Sequence, residues 1–138
     1  MRRISLRICA IFGLTAVLFG AFGAHILKPH LTAESYSNFE TAVKYHFFHT
    51  LALLCIGALS HFGRKKTLTY AVWLFSLGIV AFSGSLYLMA IDELFGIELK
   101  WLGPVTPIGG ILLAAAWASI FMSTYAHFDR NYKSAEKD

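Results

Sequence analysis

The sequence predicts an all-α integral membrane protein: a four-helix transmembrane bundle in a single domain, residues 1–138. Three observations predict it. Hydrophobic residues make up 57% of the chain and charged residues 14%, whereas a soluble domain is usually about half apolar and about a quarter charged. A soluble chain this short needs polar groups to cover its large surface, and this one has too few. The charges it does have gather at the ends of four long apolar windows, and the basic ones gather on one side.

The windows are 8–27 between Arg7 and Lys28, 45–62 between Lys44 and Arg64, 70–91 between Lys66 and Asp92, and 107–125 before Asp129. Each is near the 20 residues that cross about 30 Å of hydrocarbon. With four spans, both termini and the middle turn share one side. That side carries Arg2, Arg3, Arg7, Arg64, Lys65, Lys66, Arg130, Lys133 and Lys137; only Lys28, Lys44 and Lys100 of the 12 bases lie opposite. The positive-inside rule then puts both termini in the cytoplasm. Arg2, Arg3 and Arg7 before an apolar stretch also resemble a signal peptide, with Ala21-Phe22-Gly23 as a cleavage site. Cleavage would leave three spans and separate the termini, so the uncleaved arrangement is the expected one. The net charge of +4 would suggest nucleic acid in a soluble protein; beside apolar windows it serves orientation, and no nucleic-acid partner is expected.

The first outer connection contains Pro29 and Thr32, an N-cap candidate, with Glu34 in the following turn. From residue 33 to 56 there is no Gly or Pro, and Tyr36, Phe39, Val43 and Phe47 recur at helical spacing. Residues 33–44 therefore read as an amphipathic extension before helix 2. It lies either in the outer interface or packed on neighbouring connections. The second outer connection, 92–106, sets Leu94, Phe95, Ile97, Leu99 and Trp101 among a few charges, as expected of chain at the interface. Thr106 as N-cap and Pro107 at the first helical position predict a sharp start to helix 4.

Small residues allow close packing of helices in lipid. Ala16, Gly20 and Ala24 on the first span, and Gly110, Ala114 and Ala118 on the fourth, predict inward faces, whether within one chain or between copies in a homo-oligomer. Ala81 and Ser85 repeat the spacing on the third, with Gly78 and Gly84 nearby. Cys9 and Cys55 form no metal or redox motif and read as packing residues.

Polar residues inside a membrane need partners or a task. Here His25, Tyr45, His46, His49, Ser83, Ser85, Tyr87 and Thr106 all fall within roughly 14 Å of the outer boundary, at 1.5 Å per residue. His46 and His49 are predicted to share a helix face, and His25 and His49 to reach similar depth if the first two helices pair antiparallel. Three readings fit this layer: mutual hydrogen bonding alone, a site for a lipid headgroup, quinone or other amphiphile, or a metal or haem site. No Walker loop, GxSxG, HExxH or CxxC occurs, no acid lies mid-span, and neither catalysis nor a cofactor is expected.

Four blocks carry a family resemblance: Gly20-Ala21-Phe22-Gly23-Ala24-His25; Phe39-Glu40-Thr41-Ala42-Val43-Lys44-Tyr45-His46-Phe47-Phe48-His49; Phe82-Ser83-Gly84-Ser85-Leu86-Tyr87-Leu88; and Gly103-Pro104-Val105-Thr106-Pro107-Ile108-Gly109-Gly110. In this order the chain resembles the bacterial YgdD-type membrane proteins, the family labelled domain of unknown function 423. The resemblance implies a multi-pass protein of the bacterial cytoplasmic (inner) membrane and supplies no activity. In the family pattern Gln often stands where His46 stands here, while the positions of His25 and His49 match. The expected function is a non-enzymatic bundle binding a lipid-like molecule or a membrane-protein partner at its outer leaflet. The rivals are a redox subunit holding haem or quinone between His25 and His49, and a small transporter.

Overall fold

The computed structural model describes residues 2–59 and 65–135, with side chains described over 3–58 and 66–123. Four α-helices account for most of the described residues: α1 (Arg2–Phe22), α2 (Ala33–Leu59), α3 (Lys65–Ile91) and α4 (Val105–Ala135). No strand occurs among the described residues. Among the described residues, three stretches are long and apolar enough to cross a membrane: Arg3–His30, Lys66–Phe95 and Lys100–Ser123. α2 is as long as α3, at 27 residues, but carries Lys44, His46 and His49 along its length. The end of the second expected span, residues 60–62, and the basic turn up to residue 64 lie outside the described residues. So do the side chains of Arg2, Lys65, Arg130, Lys133 and Lys137 on which the orientation partly rests.

Consecutive helices pack side by side, and α3 is the central one. Half of its apolar stretch is buried inside the protein, against 17% for the stretches of α1 and α4. The outer two helices thus turn most of their apolar surface away from the protein, which only hydrocarbon or another apolar partner can cover. One core cluster joins α2, α3 and α4 through Leu53, Ile56, Leu68, Phe75, Ile79 and Leu113. A second, at the end bearing the two longer connections, joins Leu27, Phe39, Ala42, Leu86, Tyr87 and Ala90.

α1 meets α2 along Ser5, Cys9, Gly13, Ala16, Gly20 and Gly23. Ser5 donates to the Leu53 carbonyl at 2.7 Å and the Cys9 thiol to the Thr50 carbonyl at 3.5 Å. Ala16 is buried, and Gly20 would bring a Cβ to 3.4 Å from Val43. Ala24 is exposed, contrary to expectation. Steps of four advance 400°, so a strict i+4 row drifts off its face, and Gly23 takes the inward place. There a Cβ would lie 2.5 Å from the Phe39 ring. The last turn before the connection is π-helical (Gly23–Leu27) and the next is 3₁₀ (Lys28–His30).

On α4 the expected face is likewise displaced. Gly110 is half-buried against Phe82, but Ala114 and Ala118 point outward. The packed row is Gly109, Leu113 and Ala116. Gly109 presses on the backbone of Phe82, and a Cβ there would sit 2.7 Å from its Cα; Gly78 of α3 receives Leu113 in return.

Thr32 caps α2, its Oγ1 accepting from the Ser35 amide at 3.2 Å. The extension 33–44 is continuous with α2 and packed: Phe39 and Ala42 are buried, whereas Phe47 is exposed. α4 begins at Val105, so Thr106 lies within the first turn and does not cap it. In the second connection Asp92 accepts from the Leu99 amide at 3.1 Å, Gly96 turns at φ 64°, and Phe95, Ile97 and Trp101 are exposed.

Candidate functional site

The expected polar layer separates into three places. The first is a cleft between α1 and α3, floored by α2. His46, 4% exposed, has Nδ1 3.3 Å from the Tyr87 hydroxyl and Nε2 3.4 Å from Thr15 Oγ1. The Thr15 hydroxyl donates to the carbonyls of Ile11 and Phe12, each at 3.0 Å. With that proton committed, the network assigns the hydrogen to Nε2, which donates to Thr15, and makes Nδ1 the acceptor of the Tyr87 O–H. The Tyr87 oxygen keeps its lone pairs.

Aromatic rings fix this chain in place. Phe12 meets His46 edge-on at 5.5 Å between centroids, and Phe19 meets Tyr87 edge-on at 4.8 Å. Ser83, 1% exposed, lines the same cleft, and its hydroxyl has no hydrogen-bond partner among the described residues. The cavity measures about 230 Å³. Exposed Ile11 and Val80 stand at its mouth, and no Lys, Arg, Asp or Glu is among the described residues lining it. A neighbouring apolar hollow of about 270 Å³ shares Phe19 and Tyr87 and extends to Leu94 and Phe95.

The second place lies between α2, α3 and α4. His49 donates from Nδ1 to the Tyr45 carbonyl at 2.7 Å, and its ring lies 5.6 Å from Phe75 and 6.3 Å from Trp117. Tyr45 stacks on Phe82 at 4.4 Å. Three residues on a helix leave two side chains about 60° apart. That is enough here to send His46 toward α1 and His49 toward α4, so the shared face expected of them is not formed. The third place ties α3 to α4: Ser85 donates to the Phe82 carbonyl at 3.0 Å and lies 2.7 Å from Thr106 Oγ1.

His25 stands apart from all three, exposed on the π-helical turn. Three pairs fix the α1–α2 register: Ser5 with Leu53, Thr15 with His46, and Gly23 with Phe39. They put His25 level with α2 near residue 37, about 12 residues or on the order of 18 Å from His49. The similar depth expected of these two histidines is not found, and one chain does not bring them together around a haem or quinone. No group of three or more His, Cys, Asp or Glu able to hold a metal occurs among the described residues. The sequence singled out none of Thr15, Phe12 and Phe19 for the site, and Gly84 only as a neighbour of the packing row on the third span. Thr15 is the one hydroxyl in the middle of the first span, which was signal enough to single it out.

Fold and cleft together define a small helical membrane protein with several membrane-crossing candidates and a largely apolar pocket, lined also by Thr15, His46, Ser83 and Tyr87, open to its apolar surface. The chain belongs to the family described as "Protein of unknown function (DUF423)", whose model matches residues 19–110. It is similar to the UPF0382 membrane protein of Staphylococcus haemolyticus, 42% identical over 106 residues, covering 77% of this chain and 82% of the relative. It is also similar to the UPF0382 membrane protein YwdK of Bacillus subtilis, 36% identical over 115 residues, 83% of this chain and 89% of that one. The UPF0382 inner membrane protein YgdD of Escherichia coli is 35% identical over 119 residues, 84% of this chain and 85% of that one. No solved structure matches.

Proposed function

We propose that this chain is a non-enzymatic, multi-pass protein of the cytoplasmic membrane that holds a lipid-like molecule in the cleft between α1 and α3. The observation that carries the reading is the cleft itself. Its mouth, at Ile11 and Val80, faces the surface that hydrocarbon must cover, and its floor bears the Tyr87–His46–Thr15 chain and the unused Ser83 hydroxyl. A polar floor behind an apolar mouth suits a molecule that arrives through the bilayer. The antiparallel placement of α2 between two helices long enough to span, and the one-sided basic residues, support four crossings with both ends inside. The name of the Escherichia coli relative supports the cytoplasmic membrane as the location.

Gly84 provides the test. It lines the cleft, and a Cβ placed there meets nothing within 4 Å. Gly84→Leu should therefore fill the cavity without disturbing the fold. Lipid extracts of wild-type and variant protein, purified in the same mild detergent, are compared by mass spectrometry. A species held by wild type and absent from the variant supports the cleft as a binding site; identical extracts overturn it.

A further inference from the structure

We infer that the cleft selects an uncharged lipid carrying a free hydroxyl, a class that includes diacylglycerols and long-chain isoprenoid alcohols. This rests on the cleft reading above and names the chemistry of its occupant. The hydrogen-bond inventory decides it. Thr15 has given its proton to backbone carbonyls, His46 its Nε2 proton to Thr15, and Tyr87 its phenolic proton to His46. Two capacities are left over: the Ser83 hydroxyl, buried and unpartnered among the described residues, and the lone pairs on Tyr87. One group on a ligand uses both. A hydroxyl accepts from Ser83 and donates to Tyr87. A ketone or ester carbonyl uses Ser83 alone and leaves Tyr87 without a donor.

Charge and depth exclude the ordinary phospholipid headgroup. No Lys, Arg, Asp or Glu is among the described residues lining the cleft, so a phosphate would enter without a counter-charge. Ser83 lies nine residues before Asp92 on α3, about 13 Å further into the bilayer at 1.5 Å per residue. At that depth a charged headgroup is costly, whereas a hydroxyl needs one donor and one acceptor, which are present. The aromatic edges of Phe12 and Phe19 and the neighbouring apolar hollow leave room for the hydrocarbon part.

The full chain, in phosphatidylcholine nanodiscs, is titrated with 1,2-dioleoylglycerol, farnesol, the acetate of each, and farnesyl phosphate, and binding is read by native mass spectrometry. At least one alcohol should be retained roughly fivefold or more above its acetate, and above farnesyl phosphate. Which alcohol is retained separates the glycerolipid source from the isoprenoid one. Ser83→Ala, which removes no hydrogen bond of the protein's own among the described residues, should cut alcohol retention by a similar factor and lower acetate retention as well, since both accept from Ser83. Equal retention of alcohol and acetate, or an indifferent Ser83→Ala, overturns the hydroxyl assignment. If those probes still bind and Gly84→Leu abolishes them, the cleft stands and only its selectivity falls. If Gly84→Leu changes nothing, both fall.

Discussion

Tyr87 of α3 and His46 of α2 meet in a hydrogen bond of 3.3 Å at the floor of the cleft, with Phe19 of α1 closing over Tyr87 at 4.8 Å. Three helices thus converge on one phenol, and its stability effect can be measured. His46→Leu leaves the buried Tyr87 hydroxyl without its acceptor and should destabilise the protein by about 1 kcal/mol in detergent unfolding, the scale of interhelical hydrogen bonds in membranes. His46→Gln retains a donor and an acceptor and should stay within about 0.5 kcal/mol of wild type. Equal losses for Leu and Gln would mean that ring packing, not the hydrogen bond, is what His46 contributes.

Two glycines facing different surroundings should respond oppositely to the same change. Gly109→Ala drives a methyl into the Phe82 backbone and should cost about 1–3 kcal/mol as α3 and α4 move apart. Gly84→Ala meets open space and should gain up to about 1 kcal/mol from helix propensity. Thermal unfolding of both variants in one detergent is the check, and a tolerated Gly109→Ala would contradict the tight crossing.

The histidines should divide by their packing. His49→Ala removes a ring set among Tyr45, Phe75 and Trp117 and should destabilise by about 2 kcal/mol or more. His25→Ala should alter stability by less than about 0.5 kcal/mol, since His25 is exposed. A haem bound by the two together would instead give purified protein a Soret band lost in either variant.

Membrane orientation is open to chemical labelling. In a chain with both native cysteines replaced by serine, a cysteine at Glu98 should react with an impermeant maleimide added to intact cells, and one at Lys66 only after the membrane is opened. The reverse pattern would invert the topology.

Much of this architecture was legible in the sequence, and the misses share a cause. Apolar windows and flanking charges indicated four helices because length and solvent set those directly. Thr32 could be read as a cap because capping is local: its partner is Ser35. Which way a helix faces is not local. Ala114 and Ala118 are as small as a packed position requires, yet the row that touches α3 is Gly109, Leu113 and Ala116, fixed by where Phe82 lies. The site misled in the same way. His46 and His49 look like a pair by spacing, but they straddle the line where α3 meets α2. Thr15, His46, Ser83 and Tyr87 come together only through the register of three helices.

α1 packs chiefly on α2, touches α3 through Phe19 on Tyr87, and forms one bank of the cleft. A wall braced mainly from one side yields more readily to lateral pressure and bilayer thickness than the central helix does. The width of the opening is then a property of the surrounding membrane as much as of the protein. The same polypeptide would present different access in a thin, fluid bilayer and in a thick, ordered one.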